Sequence, residues 1–114
     1  MSNLSSSPSL KKGEDLGRLV DMVEYQSGAV VSRTLIKSDG GNLTIFAFDK
    51  NEGLSEHTTP HDALALVLEG EVGIDIQAQT FTLKAGDFIR LPAQIPHALH
   101  AVDKMKMALI LFLE

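Results

Sequence analysis

The residues of this chain best suited to chemistry are its four histidines, which occur as two separated pairs: His57 with His61, and His97 with His100. The chain contains no cysteine, which excludes disulfides, cysteine-bound zinc, iron–sulfur clusters and thiol catalysis. Neutral imidazoles combined with oxygen ligands suit iron, manganese, nickel, copper or zinc. Because pairs from distant parts of a sequence can meet at one mouth of a β-barrel, the histidines are candidates for a metal site.

The spacing of His57 and His61 requires a bend between them. In a straight strand these residues would share a face but lie about 13 Å apart, at roughly 3.3 Å per residue. Two imidazoles that share one ion need Cα atoms nearer roughly 9 Å. Residues 58–60 can supply the bend, since Pro60 fixes its φ and interrupts strand pairing. His61 is therefore expected either to be a third ligand or to line the pocket and contact substrate.

His97 is the strongest single ligand candidate, the alternative being a structural hydrogen bond where the chain leaves the loop between Pro92 and Pro96. His100 differs from His97 in strand parity, so we expect it at an exposed position or on the rim. Gln94 lies in the same loop and either supplies an amide oxygen or is solvated.

The elements that must position these side chains are short β-like runs separated by turn residues. Residues 29–37 and 43–48 are apolar and β-branched runs around the turn cluster 38–42, which predicts a hairpin. Further strands are predicted at 63–68, 72–76, 81–83, 88–91 and 105–113. About eight to ten short strands at this spacing indicate an all-β sandwich or barrel.

Glycine, proline and histidine recur at fixed offsets in the second half of the chain. Gly86, Pro92 and His97 are separated by five and then four residues, and His57 precedes Gly70 by thirteen positions. This arrangement resembles the two motifs of the small single-domain cupins over roughly residues 40–113. The remaining motif positions are substituted: Asn51 stands for the opening Gly of the first motif, Thr59 for its second His, Ala63 for its Glu, Gln94 for the second Gly of the second motif, and Ala101 for its Asn.

The resemblance implies an all-β double-stranded β-helix, or jelly-roll barrel. We expect residues 1–12 to form a flexible tail, because 2–9 are Ser-rich and offer little apolar surface to bury. Residues 13–114 are expected to form a single cupin barrel domain.

The resemblance also implies function. Cupins hold their metal with two His and a Glu from the first motif and a His from the second, and of these only His57 and His97 carry over by position. The expected protein binds a divalent transition metal (Fe, Mn, Ni, Cu or Zn) through His57, His97 and His61, together with a small polar ligand, and the family includes dioxygenases, isomerases and lyases. The alternatives are a non-catalytic ligand-binding or sensing cupin without a tightly bound metal, and an accessory protein that acts through its outer sheet.

Charge and hydropathy limit the partners. The net charge is −5, and residues 49–75 carry seven acidic side chains against Lys50 alone. The chain lacks the basic patch that nucleic acid requires and the apolar run of roughly 20 residues that a membrane helix requires. We therefore expect a cytoplasmic protein. The apolar face of Leu64, Leu66 and Leu68 predicts either a homodimer or a sheet covered by another layer.

Overall fold

The computed structural model describes residues 10–113, which form nine strands and one short 3-10 helix, Leu19–Asp21. The strands are β1 Val30–Ser38, β2 Gly41–Phe48, β3 Gly53–His57, β4 Ala63–Glu69, β5 Glu71–Ile76, β6 Gln79–Lys84, β7 Phe88–Leu91, β8 His97–Ala101 and β9 Met105–Phe112.

The strands form two antiparallel sheets that pack as a jelly roll. The larger sheet has the order β1-β2-β9-β4-β7, and the smaller sheet has the order β3-β8-β5-β6. Neighbours such as β2 with β9 and β5 with β8 are distant in sequence. The predicted all-β jelly-roll fold is confirmed.

Alternation along the strands produces the core. On β4, Ala63, Ala65 and Val67 are buried between the two sheets, whereas the intervening leucines face the other way. The inner layer is completed by apolar residues from both sheets: Phe48, Val72, Ile74, Leu83, Leu91, Leu99, Ala101, Met105 and Met107. These positions follow the period-2 pattern of strands with one face turned inward.

The segment between residue 10 and β1 lies on the outer face of the larger sheet. Val23 packs there with Ile45 and Ala108, and Leu66 and Leu68 pack against the same cluster. The first segment of the chain therefore partly covers Leu66 and Leu68 on the leucine face of β4.

Polar contacts fasten this segment. The Arg33 guanidinium is 2.6 Å from the Glu14 carboxylate, and Lys106 Nζ donates to the Val20 carbonyl at 2.7 Å. Leu10 N–H donates to the Leu35 carbonyl. Most of the predicted tail, residues 1–9, lies outside the described residues. No helix among residues 10–113 has the length and apolar character needed to span a membrane.

Candidate functional site

His57 and His97 lie side by side at the ends of β3 and β8, with ring centroids 4.4 Å apart and ring planes inclined by 64°. They are register partners across the two strands. His97 is also paired with Ile76 of β5, which packs against the inner core, and only 5% of His97 is exposed. The pair therefore lies at one end of the barrel, where His97 faces inward.

A β-bulge brings the two rings to the same side. Leu54 pairs with Leu99, and the next pair is His57 with His97, so β3 advances three residues where β8 advances two. One extra residue reverses the alternation of β3 from that point. Without the bulge, His57 would point to the opposite face from Leu54, away from the barrel interior.

Each ring is fixed by a backbone carbonyl two residues upstream. His57 Nδ1 is 2.8 Å from the Ser55 carbonyl oxygen, and His97 Nδ1 is 3.2 Å from that of Ile95. A carbonyl only accepts, so both Nδ1 atoms donate, and each ring in its neutral form then leaves Nε2 unprotonated. Metal-ligating histidines commonly have their other ring nitrogen held by such a carbonyl.

Electrostatics favour the neutral form of His97. Burial lowers the pKa of His97 below its ordinary value, and the nearby His57 acts in the same direction, while the hydrogen bond to Ile95 opposes both. A neutral imidazole keeps the Nε2 lone pair that a metal or a hydrogen-bond donor requires.

The other predicted site residues lie around this pair. β3 ends at His57, so His61 lies in the connection to β4, where its carbonyl accepts from Thr59 Oγ1 at 2.8 Å. Within residues 10–113, no three His, Asp or Glu side chains form a group that could hold a metal ion. His57 and His97 are brought together, and His61 does not complete a three-residue set with them.

His100 and Gln94 both have exposed side chains. His100 differs from His97 by an odd number of positions on β8, which turns it to the outer face, as strand parity predicted. Gln94 has φ of 67°, and its N–H donates to the Thr59 carbonyl at 2.7 Å. This bond ties the loop after β7 to the loop that carries His61.

Ala63 stands at the position to which the cupin resemblance assigns a carboxylate ligand. It is 5% exposed and belongs to the inner core. The side chain therefore faces the barrel interior, as the motif register requires, but supplies a methyl group where a carboxylate would bind.

His57 and His97 provide part of the ligand set that a transition metal ion requires. With a metal–nitrogen bond near 2.1 Å, a ring centroid lies roughly 3.2 Å from an ion bound through Nε2. Two rings on one ion can then be no more than roughly 6.4 Å apart, and the observed 4.4 Å satisfies this limit. His57 and His97 would supply two nitrogens, and the ligand or water would supply the rest.

Two features of this site were missed in the sequence: the bulge between Leu54 and His57, and the carbonyls of Ser55 and Ile95. The residue two positions before each histidine gives no chemical signal, because any residue type supplies a carbonyl. The two histidines share only the two-residue spacing between the carbonyl and the ring that it fixes.

Comparison with known proteins shows the family. The family model described as "Cupin domain" matches residues 44–113. The chain is similar to a conserved protein of unknown function from Streptococcus pyogenes, with 30% identity, coverage of 97% of this chain and 96% of that one, and a TM-score of 0.84. A cupin superfamily protein from Desulfitobacterium hafniense has 27% identity, coverage of 96% and 100%, and a TM-score of 0.84.

A cupin 2 conserved barrel domain protein from Leptotrichia buccalis has 40% identity over 82% of this chain and 45% of its own length, with a TM-score of 0.78. None of the curated proteins compared with this chain matches it. The family match covers more than half of the sequence and agrees with the observed jelly roll. This chain belongs to the cupin family.

Proposed function

We propose that this cupin binds a small polar ligand at a divalent transition metal ion held by His57 and His97. The observation that carries the proposal is the shared orientation of the two rings: both Nδ1 atoms donate to carbonyls, which leaves two Nε2 lone pairs on neighbouring imidazoles. When bound, such an ion polarises a carbonyl or enolate oxygen of the ligand as a Lewis acid.

The chain's own residues prepare the site in two ways. The bulge in β3 and the β8 backbone fix the two rings relative to each other, so little side-chain freedom is lost on binding. Inward-facing Ile76 and Leu99 lie next to the pair and keep its inner side apolar. Apolar surroundings strengthen electrostatic contacts with the polar part of a ligand.

A second candidate function is a metal-free ligand-binding cupin. The buried methyl group of Ala63 favours it, because the anionic ligand of the family's metal site is missing. The same two Nε2 atoms would then accept hydrogen bonds from hydroxyl or amide donors of the ligand.

Calorimetric titration of EDTA-treated protein with NiCl2 separates the two functions. We expect the unaltered chain to bind Ni²⁺, and His57→Ala and His97→Ala each to lose binding by at least about tenfold. His100→Ala is the matched control, because His100 is exposed on the outer face of the same strand as His97, and it should bind as the unaltered chain does.

His61→Ala belongs to the same series, and its effect decides whether His61 supplies a third nitrogen. Equal affinity in the unaltered chain and in both site variants would contradict the metal proposal. No binding by the unaltered chain would leave the metal-free function as the better account.

A further inference from the structure

A groove of about 660 Å³ lies between β6 and β7, which are the edge strands of the two sheets. Neither His57 nor His97 lines it. One end is closed by the turn between the strands, where Gly86 N–H donates to the Val67 carbonyl at 2.8 Å. Its volume falls within the range of about 300–1,000 Å³ that is typical of small-molecule pockets.

Each wall of this groove carries an exposed aromatic ring. Phe81 on β6 is paired with buried Ile74 and so lies on the inner face, yet it remains 38% exposed. Phe88 on β7 is paired with Leu66, on the outer face of the larger sheet, and is 66% exposed. Both rings line the groove, and together they offer apolar faces to a flat aromatic group, which aromatic side chains bind by offset or edge-to-face contact.

The groove is also lined by a positively charged side chain that has no carboxylate partner among the described residues. Arg90 lines the groove, is exposed, and lies two positions after Phe88 on the same face of β7. Among residues 10–113, the ion pair present is that of Arg33 with Glu14. The Asp87 carboxylate lies at the closed end and accepts from the backbone N–H of Lys84 at 2.9 Å.

We propose that this groove binds an aromatic monocarboxylic acid, with the ring against Phe81 and Phe88 and the carboxylate on Arg90. The planar guanidinium matches a carboxylate with two parallel hydrogen bonds. Asp87 determines how the ligand is oriented in the groove, because the negative charge of Asp87 repels the ligand carboxylate from the closed end.

The groove is a poorer fit to an extended peptide. A peptide that added a strand would gain its affinity from main-chain hydrogen bonds to the sheet edge. β7 has only four residues, Phe88–Leu91, so it offers few such bonds.

Titration of the full chain with 2-naphthoate, followed by backbone amide NMR shifts, tests the proposal. We expect the largest shifts within residues 77–92. Arg90→Gln should weaken binding about tenfold, since it removes a charge-assisted hydrogen-bonding pair. The uncharged analogue 2-naphthamide should bind the unaltered chain more weakly by a similar factor. Arg18→Gln is the matched control, because Arg18 is also exposed but lies outside the groove.

Equal affinity of the unaltered chain and Arg90→Gln would overturn the proposal, as would equal binding of the acid and the amide. Shifts concentrated outside residues 77–92 would place the ligand elsewhere and overturn it as well. If an extended apolar peptide shifted the β7 amides and 2-naphthoate did not, the groove would be a peptide site instead.

Discussion

At the scale of single residues, we expect the identity of residue 63 to determine how strongly the histidine pair binds a cation under the proposed function. Counting from Gly70, residue 63 stands where cupins have their carboxylate, and the structure buries it on the inner face of β4. Both facts follow from strand parity and motif spacing, which is why the sequence could anticipate them. The orientation of His57 could not be anticipated, because it depends on one extra residue in β3.

Ala63→Glu is expected to tighten metal binding by at least about tenfold, or about 1.4 kcal/mol, because an added anionic ligand raises the affinity of a cation site. Without metal the variant should be less stable, since a buried carboxylate lacks a counterion. Melting temperatures measured with EDTA and with Ni²⁺ check both effects. Ala65→Glu is the control: Ala65 is also buried on the inner face of β4, and its loss of stability should not be reversed by metal. Identical behaviour of the two variants would show that position 63 has no special relation to the histidines.

At the scale of elements, the strands with apolar runs were predictable and the two strands that carry the site were not. Runs at 63–68, 88–91 and 105–113 correspond closely to β4, β7 and β9. β3 and β8 have short, mixed sequences without clear alternation, and they are held by pairing with each other and by the pairing of β8 with β5. Such pairing joins distant segments, so a local pattern does not show it.

The turn between β4 and β5 depends on Gly70, which has φ of 81°. A Cβ at this position would overlap the backbone oxygen of Lys104. Gly86 also has positive φ, at 94°, but a Cβ there would meet nothing within 4 Å. We expect Gly86→Ala to lower the free energy of unfolding by about 1–2 kcal/mol from backbone strain alone, and Gly70→Ala to lower it by more than about 3 kcal/mol. Urea unfolding measures both, and equal losses would contradict the steric argument.

The contact of Glu14 with β1 makes the attachment of the first segment depend on pH. Hydrogen bonds from Lys11 N–H and from the Arg33 guanidinium lower the pKa of Glu14 below its ordinary value of 4.5. This stabilisation is therefore fully present above about pH 4.5 and is lost as the pH falls through the lower, folded-state value. The melting temperature of Glu14→Gln should fall less between pH 6 and pH 3 than that of the unaltered chain. Glu24→Gln, at an exposed position, controls for loss of one negative charge, and parallel curves for all three proteins would refute the contribution.

At the scale of the whole molecule, we predict a homodimer formed through the outer face of the larger sheet. Leu66 and Leu68 are partly covered by the first segment, but Leu64 and Ile36 also lie on this face, and Ile36 is 51% exposed. An apolar patch of this kind is uncommon on a monomer. Light scattering at tens of micromolar should give about 25 kDa, twice the chain mass of 12.3 kDa. Leu64→Lys should shift the mass toward 12.3 kDa, and a monomer before any substitution would contradict the prediction.

The central claim, that His57 and His97 present two unprotonated Nε2 atoms to a metal ion, is tested most directly by long-range ¹H–¹⁵N correlation NMR of the histidine rings. In metal-free protein at neutral pH, we predict that both rings carry their proton on Nδ1, as the carbonyls of Ser55 and Ile95 require. Addition of Zn²⁺ should then move the Nε2 signals of these two rings and leave that of exposed His100 in place. A proton on Nε2 of either ring, or Nε2 signals that do not respond to Zn²⁺, would contradict the account.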